Sequence, residues 1–164
     1  DDVFTNDRVL ENIANFHLNN SVDASVSNVI QINEKGKVIR NYSAINWSPK
    51  KLKIGFMPPH PAIFFKRELF DKHGDYHLGF KICADYELIT RFFLKHEISW
   101  KFFDITTHSM LIGGLSSSGF NSYRVVSKEI IKSLTINKIK FSSLTIYSRF
   151  LWKIIGFFKF EVNY

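Results

Sequence analysis

Apolar residues recur at helical spacing near the start of the chain, where Val9, Leu10, Ile13 and Phe16 fall on neighbouring turns with His17. A helix over residues 5–18 follows, with Thr5 or Asn6 as its cap, because their side-chain oxygens can accept first-turn N–H groups. The pattern then changes to a loose alternation through Val22, Val26, Val29, Ile30 and Ile32. Glu34-Lys35-Gly36-Lys37 interrupts it and Val38-Ile39-Arg40-Asn41-Tyr42 resumes it. This reads as a β-hairpin in which Gly36 supplies the positive φ of the turn.

Residues 43–57 show no clear period, and Trp47, Ser48-Pro49 and Lys50-Lys51-Lys53 suggest a loop or short helix over the surface. The prolines of Met57-Pro58-Pro59-His60-Pro61 remove donors and fix φ, which excludes regular helix there. Ala62-Ile63-Phe64-Phe65 is short and apolar, as a buried strand is, and a helical turn over residues 67–72 is stopped at Gly74. The strongest helical pattern covers residues 84–96. Leu88, Ile89, Phe92 and Phe93 form one face, and Glu87, Arg91 and Lys95 line the other at i, i+4 spacing, where an Arg91–Glu87 pair on the helix surface is expected. Residues 98–112 read as two strands or one long bent strand, 113–119 as a Gly/Ser loop, 121–136 as a helix and 142–160 as a strongly apolar helix. The sum is an α/β domain with a mixed sheet and flanking helices.

Composition sharpens this only in places. With 164 residues, 45% of them hydrophobic and 23% charged, the chain has enough material for one domain with a real core. Its 17 Phe make the core aromatic-rich; ring faces also suit sugars and membrane surfaces. Cys83 is alone, which excludes an intrachain disulfide and a multi-cysteine metal site. Asp1-Asp2-Val3-Phe4 has neither a basic nor an apolar leader pattern, so a cytoplasmic protein, at most peripheral to the inner face of the membrane, is expected. Residues 120–164 hold eight Lys or Arg against Glu129 and Glu161, so six of the seven net positive charges fall there. The rest is almost neutral, which argues against a nucleic-acid surface. Within residues 142–164, Arg149, Lys153 and Gly156 share a narrow face, with Tyr147 and Trp152 among the apolar remainder. An interfacial helix on anionic lipid fits this pattern, and so does a helix packed on the domain or on a second subunit in a homodimer.

Few residues carry chemistry. Asp85 lies in the first turn of its helix, where the dipole and free N–H groups hold a carboxylate ionised and able to act as a base; the plain alternative is a structural first-turn Asp. Asp1 and Asp2 could hold a hard divalent cation together with phosphate oxygens, or be ordinary loop acids. His60, among prolines, and His108, at the end of a strand, could each bind a phosphate or hydroxyl, and His108 a metal; either could equally be structural. Gly113-Gly114-Leu115-Ser116 could offer backbone N–H groups to a diphosphate, but lacks the spacing and Lys of a Walker loop.

In this order the segments resemble the second half of a GT-A glycosyltransferase of family 2, the inverting type of bacterial polysaccharide synthesis. Asp1-Asp2-Val3-Phe4 is similar to the family's acidic donor motif, and His60-Pro61-Ala62-Ile63-Phe64-Phe65-Lys66-Arg67-Glu68-Leu69-Phe70 to its acceptor-side segment. Gly74-Asp75-Tyr76, the Asp85-Tyr86-Glu87 helix with Arg91, and Gly113-Gly114-Leu115-Ser116 follow as they do there. The resemblance covers residues 1 to about 135 of the sequence. It implies that residues 1–141 are the acceptor-side part of the nucleotide-diphospho-sugar transferase fold; 142–164 reads from its own pattern as a separate basic apolar helix. It also implies sugar transfer with inversion from a nucleotide-diphosphate donor to a glycan or lipid-linked acceptor, assisted by Mg or Mn. Asp85 would be the general base and Asp1 and Asp2, with His108, the metal side; His60, Gly113, Gly114 and Ser116 would face the donor. The family's βαβ nucleotide-binding half precedes the acidic pair, so residues 1–164 alone are expected to bind a nucleotide poorly and to turn over no nucleotide sugar. A non-catalytic peripheral membrane-binding or interaction domain is the alternative.

Overall fold

A computed structural model describes residues 2–112 and 119–148. The elements run β1 (Val3–Phe4), α1 (Val9–Asn20), β2 (Ala24–Ile32), β3 (Val38–Tyr42), β4 (Ile63–Phe65), α2 (Glu68–His73), α3 (Ala84–Thr90), β5 (Trp100–Leu111) and α4 (Gly119–Ile136). Tight 3₁₀ turns cover Pro49–Ile54 and His60–Ala62, and α3 continues into a wider π turn over Arg91–Lys95. Residues 143–148 are helical. The expected α/β architecture, a mixed sheet with flanking helices, is present.

β2 organises the sheet. One edge pairs in parallel with β5 along nearly its whole length. The other is shared by two antiparallel partners, β4 against Ala24–Val26 and β3 against Val29–Ile32. β1 adds two antiparallel residues to the far edge of β5. The β2–β3 hairpin forms as its alternation predicts. Gly36 has φ 75°, and the Asn33 carboxamide oxygen accepts the Lys35 and Lys37 N–H groups, which fixes the turn.

Successive residues of a strand point to opposite faces, and β2 uses both. Ala24 and Val26 enter the main core, whereas Ser25 meets α1, where His17 Nε2 lies 3.0 Å from its hydroxyl. The small residues at 24, 25 and 27 are all fully buried and let helices approach closely. On the core face, Phe92 is completely enclosed, with the rings of Phe65 and Phe70 set edge-on at 5.1 and 5.4 Å. Trp47 closes the other side of this cluster against Phe93 and Trp100. The Phe-rich composition is therefore spent on a tilted-ring core.

Several elements depart from the sequence pattern. α1 begins at Val9 rather than at residue 5, because β5 claims Thr5: its hydroxyl donates to the Thr106 carbonyl at 2.7 Å and its N–H to that of Thr107. β4 is only partly buried, while residues 100–111 form one continuous strand, the second of the two arrangements expected there. The face of α3 carrying Glu87 and Arg91 is not on the surface; these residues are 2% and 9% exposed. Asn137, just past α4, donates to Glu87, and Arg91 donates to the carbonyls of His73, Gly74 and Asp75. A pair satisfied this fully tolerates burial. In residues 143–148, Ile146 is fully buried in the main core while Leu144 and Tyr147 are exposed. No helix among the described residues is long and apolar enough to cross a membrane.

Candidate functional site

Two segments bring the chemistry together. The proline-rich run turns at His60–Ala62 and enters β4, which pairs with the buried start of β2. This sets His60 at the mouth of a pocket whose walls continue along Ile63, Phe64 and Phe65. The facing wall is α3, with Asp85 in its first turn and Leu88 and Ile89 below it. Phe70 and Tyr76 complete the lining of a cavity of about 230 Å³.

Asp85 divides its two oxygens. Oδ1 accepts the N–H of Tyr86 at 2.7 Å, and Oδ2 lies 3.4 Å from His60 Nδ1. The aspartate side chain is 23% exposed and the histidine 45%, so the pair is reachable from the pocket mouth. A fixed carboxylate next to an imidazole, on an open pocket, can take a proton from a bound hydroxyl. Tyr76 reports the same carboxylate electrostatically. Burial pushes its phenol above the ordinary tyrosine value, and the charge of Asp85 pushes it further.

His108 reaches the same region from β5. Its ring lies between those of Phe4, at 4.6 Å, and Phe64, at 6.1 Å, and its Nδ1 is 3.0 Å from the Thr107 hydroxyl. Burial holds its pKa below the ordinary histidine value. The negative charge of Asp2 opposes that shift and the neighbouring His60 adds to it. Asp2 and His60 therefore both lie within electrostatic reach of His108. Asp85 and His60 thus form a pair on the pocket, and His60 and Asp2 each lie within electrostatic reach of His108 on β5.

The remaining sequence-predicted residues, Asp1, Gly113, Gly114 and Ser116, lie outside the described residues. Among the described residues, no group of three His, Cys, Asp or Glu side chains converges to hold a metal by protein ligands alone. A cation held at Asp2 would therefore have to complete its shell with substrate phosphates and water.

Sequence reasoning missed the supports. Glu129 on α4 accepts the N–H groups of Lys81, Ile82 and Cys83 at 2.8, 2.9 and 2.8 Å, fixing the approach to Asp85. Arg91 clamps the carbonyls of residues 73–75, immediately before Tyr76. A lone Glu far along the chain carries no signal of such a role. Tyr76 does sit in the quoted Gly74-Asp75-Tyr76 step, and its aromatic ring beside an acid was a usable hint. Compared with protein-family models and with curated proteins, the chain matches none.

Proposed function

We propose that this chain is the acceptor-side part of an inverting GT-A-type glycosyltransferase that moves a sugar from a nucleotide-diphosphate donor to a glycan or lipid-linked acceptor. The observation that supports this reading is the Asp85–His60 pair on an aromatic-walled pocket, with His108 and Asp2 next in line. The resemblance of the Asp85-Tyr86-Glu87 helix and the His60-Pro61 segment to family 2 points to the same residues.

In this reading a sugar hydroxyl of the acceptor enters between Tyr76 and Phe64, whose ring faces stack on the apolar side of a pyranose. Asp85 Oδ2 accepts the hydroxyl proton as its oxygen attacks the anomeric carbon. The bond to the diphosphate breaks on the opposite side, so the configuration inverts. His60 holds the Asp85 carboxylate in aim, and its second ring nitrogen is left for a hydroxyl or phosphate oxygen. Asp2, together with Asp1 and with His108 beside it, would hold a Mg or Mn ion, which when bound neutralises the charge developing on the diphosphate. Gly113, Gly114 and Ser116 enter through the resemblance alone, as N–H donors to that diphosphate. Lipid-linked acceptors would place the protein at the cytoplasmic face of a membrane.

The test is transfer from a panel of nucleotide sugars by the natural full-length protein, with Mg or Mn supplied. Asp85→Asn should lower turnover by about a hundredfold or more while donor binding is kept. Unchanged turnover in that variant removes Asp85 as the base, and no transfer from any donor removes the reading.

A further inference from the structure

A second cavity, larger than the one at Asp85, lies away from the carboxylate–imidazole pair. It measures about 470 Å³ and is walled by Tyr42, Trp47, Ile54, Phe56, Met57 and, from the helical segment 143–148, Thr145. Among the described residues, no carboxylate, imidazole or thiol reaches its lining, and Lys51 alone brings a charge. In a 3₁₀ helix residues three apart share a face, so Lys51 and Ile54 turn to the cavity together while Lys50 and Lys53 form the adjacent exposed row.

Two features mark the surroundings. Phe56 in the lining is 46% exposed, and Ile45, Leu144 and Tyr147, each next in sequence to a lining residue, are 60%, 80% and 46% exposed. Moreover, no Asp or Glu occurs between Glu34 and Glu68, a span with eight Lys or Arg that supplies most of the cavity wall. The site thus offers hydrocarbon contact inside and positive charge at the rim, with nothing for acid–base chemistry. A cavity of this size matches an extended apolar ligand.

We propose that this pocket receives an acyl chain of an anionic phospholipid, with Lys50, Lys51 and Lys53 at the level of the lipid phosphates, so that this face rests on an anionic bilayer. Each buried methylene adds affinity and each nearby cation adds attraction to the charged leaflet. The inference stands apart from sugar transfer, because none of these residues belongs to the Asp85 pocket. It also differs from attachment through the basic residues of the tail, because most of the lining lies at positions 42–58 and the residues that 143–148 adds to it, Thr145 and Ser148, carry no charge.

The full chain carrying Trp152→Phe, which leaves Trp47 in the cavity wall and Trp100 packed edge-on against it, is mixed with vesicles of phosphatidylcholine alone or with phosphatidylglycerol, the latter brominated in its acyl chains. Flotation with the anionic vesicles only, and quenching of tryptophan fluorescence by the brominated chains, are expected. Ile54→Asp with Phe56→Asp should weaken both by about tenfold or more. Both positions are partly exposed, so the thermal transition should be kept. Lys50→Glu, Lys51→Glu and Lys53→Glu together should abolish the preference for phosphatidylglycerol. Equal flotation with both vesicle types overturns the proposal, as does quenching that the Ile54 and Phe56 substitutions leave unchanged. Binding lost only when Phe150, Leu151 and Trp152 become Ser assigns the contact to the tail and overturns it too. So does protection by soluble dodecyl phosphate without any flotation, which assigns the pocket to a free amphiphile.

Discussion

The Glu87 carboxylate and the Arg91 guanidinium meet through two hydrogen bonds of 3.1 Å inside the protein, one turn apart on a helix that continues from α into π geometry. The same guanidinium also holds the carbonyls that end α2 and lead toward Tyr76. Removing it strands a buried carboxylate and three carbonyls together. Arg91→Ala should therefore cost about 3–5 kcal/mol of stability in urea denaturation. Arg91→Lys should recover little, since an ammonium cannot span the fork and the carbonyls at once. A loss below about 1 kcal/mol for the alanine variant would show that the network contributes no more than a surface pair.

Glu129 ties α4 to the start of α3, and its titration gives a second prediction. Burial alone would raise its pKa, but the N–H groups of Lys81, Cys83 and Ile82 and the charge of Lys132 outweigh it and hold the carboxyl below its ordinary value. A depressed native pKa means that the unfolded chain binds more protons. The stabilisation is then complete above the ordinary glutamate value of 4.5 and disappears as pH falls through the native one. Glu129→Gln should lower stability at neutral pH and flatten the acid limb of a stability-against-pH curve. An unchanged acid limb removes Glu129 as a source of that slope. The variant should also loosen the approach to Asp85, read as faster amide exchange at residues 81–83.

His108 offers a test of the site's geometry that needs no substrate. Its proton resonance should titrate below the ordinary histidine value, because burial disfavours the imidazolium. Asp2→Asn removes a charge that opposes the shift, so the His108 pKa should fall further. His60→Asn removes one that adds to it, so the pKa should rise. A native state that prefers neutral His108 gains stability as pH rises through the ordinary value of 6.5 and loses it below. If neither substitution moves the His108 titration, Asp2 and His60 do not reach His108, and the proposed site is wrong.

Legibility varied from element to element. The hairpin could be read because its turn chemistry and alternation are local, and Gly36 adopts the positive φ expected of it. The apolar face of α3 could be read as well: Leu88, Ile89, Phe92 and Phe93 are all buried. The opposite face could not. Period alone assigns Glu87 and Arg91 to solvent, and only the arrival of Asn137 and the 73–75 carbonyls encloses them. The start of α1 was misjudged for a similar reason: β5, a hundred residues downstream, draws Thr5 away from the helix.

The candidate site divides along the same line. Sequence by itself singled out Asp85, His60, His108 and Asp2, since helix-start acids and isolated imidazoles are recognisable by type and position. It also determined a Phe-rich core and a long acid-free basic span. Tertiary structure decided that Asp85 and His60 stand 3.4 Å apart on one pocket, and that β5 lies parallel to β2 and so brings His108 within electrostatic reach of His60. The physical reason is range. Turns, caps and amphipathic stripes arise from interactions within a few residues, whereas a parallel strand pairing and a buried ion pair depend on which distant segments exclude water from the same place.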